Sequence, residues 1–184
     1  MSPRPLPVPP SAGELPVPPE TAMELALAEA RLAASLDEAP VGAALFGPDG
    51  RLLARAHNAP IRLQDPTAHA EILCLRRGGQ VVGNYRMPGC VLAVTLEPCL
   101  MCVGAVIHAR LAGVIYGATD PKSGALVTHL AGNGLGFVNH KFWVLGGVRA
   151  EECGGLLSDF FRARRGRGPG DDTPAPAAGS GDAG

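Results

Sequence analysis

Two cysteines three residues apart, with a histidine about thirty residues before them, constrain this sequence more than any other feature. Cys99 and Cys102 follow Pro98, and proline is favoured at the first position of a helix, where its missing N–H costs nothing. We therefore predict a helix over residues 98–109 with both thiols on one face. Its N-terminus favours thiolates, the form of cysteine that binds a metal. His69 offers an imidazole nitrogen as a third ligand.

Three protein ligands of this kind are typical of a catalytic zinc site. Two thiolates and one imidazole leave one position of a tetrahedral ion open for water, whereas structural sites are normally closed by four protein ligands. Glu71, two residues after His69, is then available to exchange protons with that water. A structural site closed by Cys74 or Cys90 is the alternative, and the sequence alone leaves it open.

His69 and Glu71 would face apart on a regular helix, because residues two positions apart are separated by about 200°. We therefore expect His69 to lie in the turn where its helix starts. Pro66 and Thr67, just before it, are typical helix-start residues, and the glycine pair 78–79 is expected to end this helix.

The remaining pattern predicts alternating helices and strands. Thr21 and Glu24 have the spacing of a capping box, which starts a first helix that runs through Ala39. Strands are predicted over residues 41–46, 51–56, 90–96, 113–116 and 142–145, and a last helix over residues 150–165. The first two strands form a hairpin, and the strand–helix–strand order around the cysteines indicates a parallel crossover.

Four segments carry a characteristic combination of motifs: Asp65-Pro-Thr-Ala-His-Ala-Glu-Ile, Thr95-Leu-Glu-Pro-Cys-Leu-Met-Cys, Gly104-Ala-Val-Ile-His-Ala-Arg and Leu156-Leu-Ser-Asp-Phe-Phe. The first two contain the H-x-E and P-C-x-x-C signature of zinc deaminases. Together the four segments resemble the bacterial tRNA-specific adenosine deaminases (TadA type) of the cytidine/deoxycytidylate deaminase superfamily. The resemblance implies an α/β fold in three layers, α/β/α, with a central mixed five-stranded sheet as in cytidine deaminases.

The resemblance also implies a reaction and its residues. It implies hydrolytic deamination of the wobble adenosine, position 34 of the tRNA anticodon loop, to inosine with release of ammonia. One Zn²⁺ per subunit is bound by His69, Cys99 and Cys102, hydroxide attacks C6, and Glu71 carries the proton. The implied substrate contacts are Val41, Asn58, Ala70, Asp120 and Phe160. The implied partners are the anticodon stem-loop of an arginine tRNA and a second copy of the chain in a homodimer.

Several of these assignments have a simpler alternative. Asn58 and Asp120 are residue types that are common in turns without any role in binding. Phe160 and Phe161 suit the core face of the last helix equally well, and the sequence does not decide which one meets the substrate. The metal motif alone also permits deamination of a free base or nucleoside such as guanine or cytosine.

Length and composition predict one globular domain with two extensions. A chain of 184 residues with 46% hydrophobic residues is long enough for one sizeable core. Residues 1–19 contain eight prolines and are predicted to be a disordered extension. Residues 20–165 form the predicted zinc-dependent deaminase domain, and residues 166–184, rich in small residues, the predicted disordered tail.

Cysteine usage and charge bear on location and partners. An odd number of cysteines, five, and no signal-like segment favour the reducing cytoplasm, and no run approaches the about 18 apolar residues that span a bilayer. A net charge of −1 argues against a globally basic nucleic-acid binder. Arginines 162, 164, 165 and 167 nevertheless cluster at the end of the last predicted helix, where cations are also favoured for structural reasons.

Overall fold

A mixed sheet of five strands forms the centre of the computed structural model, which describes residues 6–11 and 13–166. The strands are β1 Gly42–Phe46, β2 Leu52–His57, β3 Val91–Leu96, β4 Gly113–Ala118 and β5 Trp143–Leu145. Their order in the sheet is β2-β1-β3-β4-β5. Strand β1 is antiparallel to β2 and β3, whereas β3, β4 and β5 are parallel. The predicted mixed five-stranded sheet and the hairpin are therefore confirmed.

Helices cover both faces of this sheet. They are α1 Pro19–Ser35, α2 Pro60–Leu63, α3 Ala70–Val82, α4 Leu100–Ala109 and α5 Ala150–Gly166. One core cluster packs α1 and α5 against the sheet through residues such as Leu27, Ile115 and Cys153. A second cluster packs α3 and α4 against the opposite face through residues such as Cys74 and Val106. The three-layer α/β/α arrangement is confirmed.

The first helix begins earlier than the capping box predicted. Helix α1 starts at Pro19, and its N-cap residue Pro18 has no side-chain acceptor with which to cap it. Preceding residues also pack: Val17 is buried, and Leu15 lies against the same core cluster. The packed part of the chain therefore begins within residues 1–19, at the C-terminal end of the predicted extension. Residues 1–5, 12 and 167–184 lie outside the described residues.

The glycine pair 78–79 does not end the helix that follows His69. Helix α3 continues to Val82, and Gly83 ends it in the left-handed conformation, with φ 71°. Gly78 faces the sheet at close range, since a Cβ atom there would lie 2.2 Å from Cδ2 of the buried Leu45. The glycine permits close helix–strand packing and does not break the helix.

Helix α4 starts two residues later than predicted. Its N-cap is Cys99, whose carbonyl accepts the N–H of Val103 at 2.9 Å, and Leu100 is its first residue. The carbonyl of Pro98 instead accepts the N–H of Ala125 at 2.9 Å, so it is not part of the helical ladder. No helix among the described residues has the length and apolarity needed to span a membrane.

Candidate active site

Two helix starts bring the predicted metal ligands together. His69 is the N-cap of α3 and Cys99 the N-cap of α4, while Cys102 lies in the first turn of α4. Both caps have an extended backbone, which turns their side chains towards the space between the helix ends. His69 therefore lies at the start of its helix, as the sequence predicts.

The three ligand atoms form a nearly equilateral triangle. The two sulfurs are 3.7 Å apart, and Nδ1 of His69 is 3.6 Å from each of them. A tetrahedral zinc ion with Zn–S bonds of about 2.3 Å and a Zn–N bond of about 2.05 Å requires about 3.8 Å between sulfurs and about 3.6 Å between sulfur and nitrogen. The donor set therefore fits zinc in both chemistry and spacing.

Hydrogen bonds within the triangle polarise its groups. The hydrogen bond with Cys102, helped by one with His69, lowers the pKa of Cys99 to about 4. The same bond between the sulfurs raises the pKa of Cys102. The hydrogen bond with Cys99 also raises the pKa of His69. The cluster holds a thiolate before any metal binds, and metal binding displaces the remaining protons.

No fourth protein ligand completes the triangle in the part of the chain that the structure describes. The described histidine, cysteine and acidic residues form one group close enough to bind a metal, and it consists of His69, Cys99 and Cys102. Cys74 is buried in the core, where its thiol contacts the carbonyl of Ala54 at 3.5 Å. The closed structural site considered from the sequence finds no support in this geometry.

Glu71 lies beside the triangle and is outside the ligand group. Its side chain is buried, and burial raises the pKa of its carboxyl above the ordinary value. A buried carboxyl whose pKa is raised suits a group that accepts and then returns a proton.

A small cavity of about 140 Å³ opens onto these groups. Six of its lining residues were predicted from the sequence: Val41, Asn58, His69, Glu71, Cys99 and Asp120. Three others were not: Leu96, Glu97 and Ser123. The site thus lies at the C-terminal end of β3, where the crossover to α4 begins.

Asn58 connects two walls of this cavity. Its side-chain oxygen accepts the backbone N–H of Ala70 at 2.7 Å. Its backbone N–H donates to the carbonyl of Val41 at 3.0 Å. Ala70 is the first residue of α3, so Asn58 satisfies a backbone donor that the helix cannot. The N–H of Ala70 is directed at Asn58.

Asp120 lies in a turn at the rim of the cavity. Its carboxylate accepts the N–H of Lys122 at 2.9 Å, which is the turn-forming role that the simpler alternative predicted. The residue also lines the cavity, so both of its predicted roles remain compatible with its position.

Phe160 lies outside this cavity. It is half-buried on α5, on the opposite face of the sheet from α3 and α4, and does not line the cavity. Its ring makes an edge contact with Phe161 at 5.4 Å between centroids. Its predicted contact with the substrate stays a prediction.

Glu97 is the charged residue among the three cavity-lining residues that the sequence did not predict. It precedes Cys99 by two residues and is buried, and its carboxylate accepts hydrogen bonds from Asp120, Val127 and Thr128. Burial alone would raise the pKa of Glu97, but these hydrogen bonds outweigh it and hold the pKa below the ordinary value. The signal in the sequence that could have identified it is an acidic residue directly after the buried strand β3.

Comparison with known proteins agrees with this geometry. Residues 17–118 match the zinc-binding region of cytidine and deoxycytidylate deaminases. The chain is 43% identical over 143 residues to a tRNA-specific adenosine deaminase of Haemophilus influenzae, covering 78% of this chain and 83% of that protein. It is 44% identical over 143 residues to the enzyme of the same name from Agrobacterium fabrum, covering 78% of this chain and 93% of that protein.

The chain belongs to the tRNA-specific adenosine deaminase family. A solved structure from work on A-to-I editing by tRNA:A34 deaminases at the wobble position of transfer RNA also matches this deaminase, at 43% identity and a TM-score of 0.72. The match covers 74% of this chain and 99% of that one. The family resemblance and the cytidine-deaminase-like fold predicted from the sequence are confirmed, and the chain is an enzyme of a zinc-dependent hydrolytic family.

Proposed function

We propose that this enzyme converts the wobble adenosine, position 34, of a tRNA to inosine and releases ammonia. The observation that carries the proposal is a buried, unligated Glu71 beside a three-ligand triangle whose spacing suits zinc. The matched solved structure comes from work on this same editing reaction. The anticodon loop of an arginine tRNA is the substrate that we propose.

His69, Cys99 and Cys102 would hold one zinc ion per subunit. When bound, zinc supplies a nucleophile at neutral pH, because it lowers the pKa of water in its open position to about 7. Glu71 would accept a proton from the attacking water and pass it to the ring nitrogen beside C6, which makes C6 electrophilic. Glu71 would then take the proton left on the attacking oxygen and deliver it to the departing amine, so that ammonia leaves as the C6 carbonyl forms and a single carboxyl serves as base and as acid.

The cavity size supports a single flipped-out base as the bound group. Its volume of about 140 Å³ is below the about 300–1,000 Å³ that is usual for pockets enclosing drug-sized ligands. An adenosine in an anticodon loop is already unpaired and easily splayed from its neighbours. We propose that Val41, Asn58 and Ala70 orient the base, while Asp120 and Phe160 contact neighbouring nucleotides.

A homodimer is the proposed assembly, as the family resemblance implies. An apolar groove of about 600 Å³ lies between α3 and α4, and it is lined by residues such as Leu75 and Ala105. Large apolar side chains on or near these helices are exposed, including Tyr85, Leu100 and Met101. Exposed apolar surface of this kind favours association with a partner. Leu100 directly follows the ligand Cys99, so a partner on this surface lies near the site.

The remaining proposals concern domain limits and location. We propose that residues 20–165 form the deaminase domain and that the protein acts in the cytoplasm. The five cysteines are free thiols, which suits a reducing compartment. Basic residues Arg164 and Arg165 in the last turn of α5 provide positive charge for contact with RNA phosphates.

Product analysis with matched substrates tests the proposed reaction. The protein is incubated with an arginine tRNA that carries adenosine at position 34, with the same tRNA carrying guanosine there, and with free adenosine, guanine and cytidine. We expect inosine, and equimolar ammonia, from the first substrate alone. Deamination of a free base with no inosine in the tRNA would contradict the proposal and favour a nucleobase deaminase.

A further inference from the structure

Glu97 binds a loop to the strand end that carries the metal ligands. One carboxylate oxygen accepts the N–H groups of Val127 at 2.8 Å and Thr128 at 2.9 Å. The other accepts the N–H of Asp120 at 3.2 Å and the hydroxyl of Thr128. The carboxylate therefore contacts both ends of the segment 120–128.

The same loop is bound to the Cys99 turn by its backbone. Ala125 donates its N–H to the carbonyl of Pro98, and Cys99 and Gly124 form an isolated antiparallel bridge. Gly124 lies so close that a Cβ atom there would be 2.5 Å from Cδ of Glu97. The loop 120–128 and the turn at Cys99 thus pack together, with the carboxylate of Glu97 between them.

We infer that Glu97 is a positioning residue, which holds the loop 120–128 so that Asp120 and Ser123 stay at the cavity rim. Asp120 and Ser123 both line the cavity, and Asp120 donates its own N–H to the carboxylate. A carboxylate suits four converging donors because it has only acceptor sites, whereas the amide of glutamine offers one oxygen and two N–H donors. The inference rests on the proposed function for its substrate, but the loop contacts stand without it.

Hydrogen exchange measures the loop without reference to activity. The variant Glu97→Gln keeps the shape of the side chain and removes acceptors, so we expect the amides of Asp120, Val127 and Thr128 to exchange at least about tenfold faster. Thr128→Val removes one hydroxyl donor and should give a smaller increase. Glu38→Gln is the matched control, since Glu38 is equally buried but accepts N–H groups from Ile61 and Arg62 in the short helix α2.

Kinetics with the tRNA test whether the loop acts on the substrate. For Glu97→Gln we expect KM to rise at least about tenfold while kcat falls less, because chemistry at Glu71 keeps its geometry. If Glu97 acts through the loop, its effect on KM shrinks to below about threefold in an Asp120→Ala background. Metal content should equal that of the unmodified protein.

The outcomes separate the two proposals. Unchanged exchange at the three amides in Glu97→Gln, or an equal increase in Glu38→Gln, would overturn the positioning role. The positioning role would also be overturned if Glu97→Gln raised KM by the same factor in the Asp120→Ala background as in the unmodified protein. A protein that does not deaminate tRNA at all refutes the proposed function, whereas the exchange measurement still decides whether Glu97 holds the loop.

Discussion

Replacing Asn58 by alanine tests how the cavity wall is built. The side-chain oxygen of Asn58 accepts the N–H of Ala70 at 2.7 Å, and both residues are buried. Without that oxygen the first N–H of α3 loses the acceptor that it has in the structure. A buried backbone donor left without a partner costs about 1–3 kcal/mol. For a chain of this length each kcal/mol lowers Tm by about 2–4 °C, so we expect Tm to fall by about 2–12 °C.

A charged variant separates this structural role from the role in binding. Asn58→Asp keeps an oxygen acceptor at a helix N-terminus, where a negative charge is favourable, so its Tm should fall less than that of Asn58→Ala. It places a second carboxylate beside Glu71 and removes the amide donor, so deamination should still fall. Thermal unfolding followed by circular dichroism provides the comparison. An Asn58→Ala protein as stable as the unmodified one would refute the role assigned to this hydrogen bond.

Two further predictions follow from pKa values and packing. In the metal-free protein a thiol reagent should modify Cys99 first, because its pKa of about 4 makes it a thiolate whereas burial raises the pKa of Cys153 to about 11. The rate at Cys99 should be nearly constant between about pH 6 and pH 8. A rate at Cys99 that rises about tenfold per pH unit would contradict this. Gly78→Val should lower the free energy of unfolding by about 1–3 kcal/mol, because the new side chain overlaps with Leu45. Gly79→Ala should be neutral or stabilising, because a Cβ atom there would lie 3.4 Å from the carbonyl oxygen of Asn84, an ordinary contact distance. Equal effects of the two variants in urea titrations would disprove the packing explanation.

The sequence predicted the cysteine pair because its geometry is local, whereas the nearness of His69 to the pair followed from the zinc deaminase signature. Cys99 and Cys102 are three residues apart at one helix start, and the placement of His69 followed from the angular periodicity of a helix. Strands were predicted within two residues because each is a short apolar run between turn residues. The family resemblance supplied what local physics does not contain, namely the mixed five-stranded sheet in three layers and the nature of the substrate.

The contacts that the sequence did not predict connect distant parts of the chain. Glu97 and Thr128 are 31 positions apart, and no periodicity relates them. Gly78 was misread as a helix end because its small size serves packing against Leu45, which is far away in sequence. The start of α4 shifted for a similar reason, since the carbonyl of Pro98 is bound by Ala125. Tertiary contacts overrode local preference at each of these positions.

The central claim is that Glu71 moves protons beside a metal that it does not bind. The most direct test is to measure zinc content and tRNA deamination together in Glu71→Ala, with Cys102→Ala as the matched comparison. We expect Glu71→Ala to retain one zinc per chain and to lose at least about 10²–10⁴-fold in kcat, whereas Cys102→Ala loses zinc and activity together. A Glu71→Ala protein that loses its zinc, or that deaminates tRNA at the unmodified rate, would contradict the claim.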